Sequence, residues 1–118
     1  MSYVCCVGKD KFGTLQVEKA AGDGVDCSRI QHRDGPTGTC IVLSGPTDRA
    51  FVSCLGANRY LTPELLRSVL PTTLARGSHV HFGGYFTTPE LHTDELADVL
   101  KAFRAQGATI SLDPQCVL

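Results

Sequence analysis

Leu96, Val99, Leu100 and Phe103 recur at i, i+3, i+4 and i+7, a spacing that draws one apolar stripe down an α-helix. Thr93 stands at the N-cap position before this stripe, and Gly107 stands where the helix must stop. A strand-like run, residues 79–82, lies upstream and closes on Gly83-Gly84; another, residues 108–112, follows downstream. Strand, helix and strand over this length form a crossover, so the two strands are parallel neighbours. Parallel strands are covered on both faces, so this segment demands an α/β fold around which the rest must fit.

Residues 3–7, Tyr-Val-Cys-Cys-Val, are a continuous apolar run bounded by Gly8, which suits a strand buried on both faces. Asp10 is placed to cap a helix through Phe12, Leu15 and Lys19 that ends near Gly22 and Gly24, although its apolar stripe is thin. A Gly- and Asp-rich stretch follows, with one short strand candidate at residues 29–32. Residues 39–44 and 50–55 flank Gly45-Pro46-Thr47-Asp48, four turn formers in a row, which predicts an antiparallel hairpin. Thr62 caps the next helix, with Pro63 at its first position, Glu64 in its first turn and Leu61 packing on Leu66 as a staple. Thr-Pro-Glu-Leu occurs at 62–65 and again at 88–91, but the flanks differ, so these are two similar helix starts and not a repeat. The expectation is one domain over residues 1–118. Its α/β core spans 1–23 and 59–118, and 24–58 is a strand-rich insert.

The 118 residues are 42% hydrophobic and 19% charged, a composition that folds. Eleven Lys+Arg against twelve Asp+Glu give a net charge of −1, without the broad basic field that non-specific nucleic-acid or anionic-membrane binding needs. The longest apolar runs fall far short of the ~18–20 residues of a membrane span. Residues 3–7 also lack the charged flank of a signal peptide. A cytoplasmic protein with neither nucleic acid nor membrane as partner is expected. Cys5, Cys6, Cys27, Cys40, Cys54 and Cys116 contain no C-x-x-C pair, which removes zinc-ribbon and thioredoxin-like motifs. All six are expected as free thiols.

Few local motifs carry chemistry. His79-Val80-His81 puts two imidazoles on one face of a strand. Zinc would need further ligands, and a packed pair is the plainer reading. Gly8-Lys9-Asp10-Lys11-Phe12-Gly13 has neither G-x-x-x-x-G-K-[ST] nor G-x-G-x-x-G spacing, so it reads as a strand-to-helix turn. Gly-x-Ser-x-Gly is absent. Asp113-Pro114-Gln115 follows the last strand, at the carboxyl end where ligands of open α/β sheets bind.

The order of the segments resembles the ribokinase-like (PfkB) carbohydrate kinases. Val7-Gly8-Lys9-Asp10-Lys11-Phe12-Gly13 matches that family's V-G-x-D-x-F-G, and Gly24-Val25-Asp26-Cys27-Ser28 is similar to its G-V-D-T-S. Pro36-Thr37-Gly38 resembles the P-T-G that starts a lid strand. Gly56-Ala57-Asn58 and Leu61-Thr62-Pro63-Glu64 match G-A-N and L-T-P-E. Ile110-Ser111-Leu112-Asp113-Pro114 resembles the strand that ends in D-P-N, with Gln115 in place of the Asn.

The resemblance implies a partial Rossmann-like, three-layer α/β fold with a parallel sheet and a small antiparallel β-sheet lid over 24–58. It implies a kinase that transfers phosphate from ATP, with Mg2+, to a hydroxyl of a small-molecule sugar or nucleoside. It further implies a lid that closes over the sugar and, in some members, a homodimer through that lid. Cys40, Ser53 and Gly84 match sugar-contact positions; at Gly84 some members carry a sugar-contacting side chain. The family's upstream Gly-Gly and downstream D-T-x-G-A-G-D motifs are not found in these residues. No catalytic, cofactor-binding or metal residue is therefore assigned. The chain looks like an internal or N-terminal piece of such a kinase, inactive alone. A non-catalytic interaction module acting through the lid hairpin is the alternative.

Overall fold

The computed structural model describes residues 1–115, and the chain divides into two compact units, Met1–Asn58 and Arg59–Leu118. In the first, β1 (Cys6–Gly8) leads into α1 (Lys11–Gly22), then β2 (Gln31–Arg33), β3 (Thr39–Ser44) and β4 (Arg49–Cys54). In the second, α2 (Pro63–Val69), β5 (His79–Gly83), α3 (Asp94–Ala105) and β6 (Thr109–Asp113) follow. The fold is mixed α/β with small parallel and antiparallel sheets.

The strand expected over residues 3–7 has its regular ladder only from Cys6 to Gly8. Residues before it are tied by single bonds, such as Tyr3 N–H to Asp26 O at 2.9 Å. Cys6 and Val7 form the buried centre of the unit. The partner of β1 is β2, parallel, with Cys6 opposite Gln31 and Gly8 opposite Arg33. The short strand of the glycine-rich stretch thus pairs with β1 and not with the hairpin. The parallel strands lie in two pairs, β1–β2 and β5–β6.

Asp10 caps α1 as its position predicts, accepting from Gly13 N–H at 2.8 Å. The apolar stripe, however, is not what packs. Phe12 and Leu15 are 63% and 62% exposed, and Gly13 is the buried residue of α1. β3 and β4 pair over six positions from Thr39↔Cys54 to Ser44↔Arg49, and Gly45 N–H closes the turn on Asp48 O at 2.8 Å.

In the second unit the crossover forms as its periodicity dictates. β5 and β6 are parallel from His79↔Thr109 to Gly83↔Asp113, and α3 between them buries Leu96 and Phe103. Thr93 holds the N-cap backbone conformation but its side chain makes no capping bond. Thr62 does cap α2, accepting from Leu65 N–H at 3.2 Å, and the staple pair Leu61 and Leu66 is buried. Gln106 fastens the loop before β5, donating to Thr72 O at 3.2 Å and accepting from Leu74 N–H at 2.9 Å. Among the described residues, no helix is long and apolar enough to cross a membrane.

Candidate functional site

Strand alternation sorts the hairpin into two faces. Cys40, Val42 and Ser44 oppose Ser53, Phe51 and Arg49 on one; Ile41 and Leu43 oppose Val52 and Ala50 on the other. Cys40 and Ser53 are thus direct cross-strand partners, and the Ser53 hydroxyl donates to Cys40 Sγ at 3.4 Å. Both are exposed, so the pair presents a thiol and a hydroxyl side by side. Arg49 lies over the Phe51 ring at 5.4 Å, farther along the same face.

The base of the hairpin is built differently. Thr37 is buried, and its hydroxyl donates to Asp10 Oδ1 at 2.6 Å while accepting from Gly8 N–H at 2.9 Å. Thr37 N–H donates to Asp10 Oδ2 at 2.8 Å. On the other leg, Ala57 N–H donates to Pro36 O at 2.8 Å. Backbones approach so closely that side chains are excluded. A methyl group on Gly8 would overlap Gly35 O, and one on Gly56 would overlap Pro36 O and lie 2.8 Å from Gly38 N. Val7–Gly13, Pro36-Thr37-Gly38 and Gly56-Ala57-Asn58 therefore meet at one node. In sequence, Asp10 reads as a helix cap and Thr37 as part of the segment that starts a strand. Nothing local signals that residues 27 apart share bonds.

The node also disposes of a phosphate reading for residues 8–13. Two amides of this turn are taken, Gly13 N–H by Asp10 and Gly8 N–H by Thr37. A carboxylate already sits at the start of α1 and would repel a phosphate. The Thr37 hydroxyl, then the Thr37 and Gly13 amides, hold the Asp10 carboxyl down to about 2. The ordinary value is about 3.9. A depressed folded-state value means stabilisation that is complete above about pH 4 and lost as pH falls toward about 2. A carboxyl-carbon NMR titration is expected to place Asp10 at about 2; a midpoint near the ordinary value would mean that the Thr37 bonds are not made in solution.

In the second unit, Gly84 follows β5, and its N–H donates to Asp113 O at 2.9 Å. Its φ is +77°, a left-handed conformation that suits glycine. Tyr85, next in the chain, stacks on His92 at 4.1 Å between ring centroids. His92 Nε2–H donates to Tyr85 O at 2.7 Å, since a carbonyl can only accept. The Asp113 carboxylate accepts from Gln115 N–H at 2.9 Å. His79 and His81 are tied to hydroxyls of β6. His79 Nε2 and His81 Nδ1 lie 2.8 and 2.7 Å from Ser111 Oγ, and His79 Nδ1 lies 2.7 Å from Thr109 Oγ1. Among the described residues no three His, Cys, Asp or Glu side chains gather to hold a metal ion.

Among the cysteines, Cys5, Cys6, Cys27, Cys40 and Cys54 are free of disulfides, and Cys116 lies outside the described residues. Burial pushes the Cys5 thiol up to about 11, which favours the protonated thiol over the thiolate nucleophile.

Comparison with known proteins supplies the family context. A family profile described as pfkB family carbohydrate kinase matches residues 1–116. The chain is 28% identical over 112 residues to adenosine kinase 2 of Arabidopsis thaliana, covering 94% of this chain and 32% of that protein. Its fold is similar to a putative ribokinase II from E. coli solved with ATP and Mg2+, with a TM-score of 0.70 and 25% identity over 97% of this chain and 36% of that one. It is also similar to the adenosine kinase of Trypanosoma brucei brucei, with a TM-score of 0.72 and 22% identity over 98% of this chain and 34% of that one. The chain spans about a third of the length of the relatives it matches.

Proposed function

The chain belongs to the pfkB family of carbohydrate kinases, and from that premise we propose that its protein transfers the terminal phosphoryl group of ATP to a hydroxyl of a sugar or nucleoside. The observation that carries the proposal is the convergence of the family-like segments. Val7–Gly13, Pro36-Thr37-Gly38 and Gly56-Ala57-Asn58 meet at one node, and that node carries a hairpin whose Cys40 and Ser53 lie side by side. A mobile cover that shuts water out of a phosphoryl-transfer site is a physical use for such a hairpin.

Cys40 and Ser53 are our candidates for contacts to the sugar from the hairpin, and Gly84 for a position at the end of a core strand. ATP and Mg2+ are the proposed co-substrate and ion, supported by the E. coli match solved with both. The described residues do not fit them: the Asp10 carboxylate at the start of α1 repels phosphate, and no carboxylate cluster forms. The role proposed for this chain is accordingly on the acceptor side. We place the protein in the cytoplasm, where ATP is plentiful. We also propose that it forms a homodimer through the exposed Ile41, Leu43 and Val52 face of the hairpin.

The test is coupled ADP release over a panel of pentoses, hexoses and nucleosides. The protein encoded by the whole reading frame is expected to turn over with at least one acceptor. The 118 residues alone are expected not to, because a general base contributes ~10²–10⁴-fold and no D-T-x-G-A-G-D segment lies among them. Failure of the whole protein on every acceptor would remove the kinase reading. Turnover by the 118 residues, abolished by Asp113→Ala, would reveal a second site.

A further inference from the structure

We propose that Asp10 and Thr37 are positioning residues for acceptor binding: together they clamp the base of the β3–β4 hairpin to the turn between β1 and α1, and so set where Cys40 and Ser53 stand. The proposal rests on the sugar-kinase reading above.

All twelve positions of the hairpin are exposed, so packing along its length does not hold it in place. Its orientation is decided where it joins the rest of the unit. Cys40 lies three residues after Thr37, and Ser53 lies three before Gly56. Both legs are fastened there, one by the bonds of Thr37 to Asp10 and the other by Ala57 N–H to Pro36 O.

The Asp10 carboxylate is used on both oxygens. Oδ1 accepts from Gly13 N–H and the Thr37 hydroxyl, and Oδ2 accepts from Thr37 N–H. Bonds to a charged acceptor are stronger than neutral ones, and leaving such a partner unsatisfied costs more. The Thr37 hydroxyl both donates and accepts, so valine at 37 would keep the shape and lose both bonds, while serine would keep both. Asparagine at 10 could still accept at one oxygen, but its amide group cannot accept from Thr37 N–H. A clamp of this kind acts on the acceptor through the hairpin, without touching it.

The experiment has two arms. In the first, amide hydrogen exchange is followed by NMR on the chain with Thr37→Val, Thr37→Ser and Asp10→Asn. Thr37→Val is expected to speed exchange at Gly8, Gly13 and the hairpin base by about tenfold, with the β3–β4 ladder unchanged. Thr37→Ser is expected to match the wild type. If Thr37→Val unfolds the unit, Asp10→Asn decides by the same comparison. In the second arm, the same variants are assayed in the whole kinase. KM for the acceptor is expected to rise about tenfold and kcat to stay within about threefold, with serine restoring both. Base exchange that does not change overturns the clamp. So does uniform loss of protection through β1, α1 and the hairpin in Asp10→Asn, or a fall in kcat at constant KM. A wild-type protein without turnover would sink the kinase reading instead, and the exchange arm then decides the clamp by itself.

Discussion

Gly8→Ala is expected to destabilise the first unit by about 3 kcal/mol, the upper end for overpacking a closed site. A methyl group there would overlap Gly35 O and lie 2.6 Å from Thr37 N and 2.8 Å from Pro36 C. All three are backbone atoms, so no side chain can swing away to make room. The backbone itself is pinned, because Thr37 N–H is bonded to Asp10 and Gly8 N–H to the Thr37 hydroxyl. Relief would have to come from opening the node. The matched control is Gly22→Ala at the end of α1, where a methyl group meets nothing within 4 Å. That change is expected to be neutral or to stabilise by up to about 1 kcal/mol, as alanine for glycine in a helix does. Urea denaturation, with exchange at the fully buried Val7 as the local probe, reads both. A Gly8→Ala shift below about 0.5 kcal/mol, the range of ordinary surface changes, would show that the close approach is not made in solution.

Phe103→Ala is expected to cost about 3–5 kcal/mol in the second unit. Phe103 is 5% exposed on the buried side of α3. A unit of about 60 residues holds only ~3–9 kcal/mol of stability in all, at ~0.05–0.15 kcal/mol per residue. Its loss therefore brings this unit to the edge of unfolding. Phe12→Ala is the informative comparison. Phe12 also lies on a helix, but it is 63% exposed, and its removal is expected to change stability by less than about 0.5 kcal/mol. Equal effects at the two phenylalanines would contradict the burial of α3 relative to α1.

That contrast marks how far the sequence carries. Around α3 the pattern was sufficient. Leu96 and Phe103 share a face, the crossover forced β5 and β6 to be parallel, and both outcomes appear in the register from His79↔Thr109 to Gly83↔Asp113. At α1 the same reasoning pointed to Phe12 and Leu15, and the buried residue is Gly13. A glycine has no apolar side chain for a periodicity to register. Its use is to let other atoms approach, and those that approach are the backbone of Gly8, five residues back, and the hydroxyl of Thr37, far along the chain. β2 was legible as a short strand, but its choice of β1 as partner was not, because pairing depends on where the glycine-rich stretch returns the chain.

The candidate site divides along the same line. The hairpin with its turn at Gly45-Pro46-Thr47-Asp48 and the helix caps at Asp10 and Thr62 follow from capping and turn chemistry. All of these act over a few residues, where order along the chain is also order in space. Tertiary structure alone decided that Cys40 and Ser53 stand opposite one another, since strand register pairs residues 13 apart. It alone brought Asp10, Thr37 and Gly8 to one node, and it alone gave Gly84 its left-handed backbone under the bond to Asp113 O. Each of these joins segments distant along the chain, where neither periodicity nor capping and turn chemistry reaches.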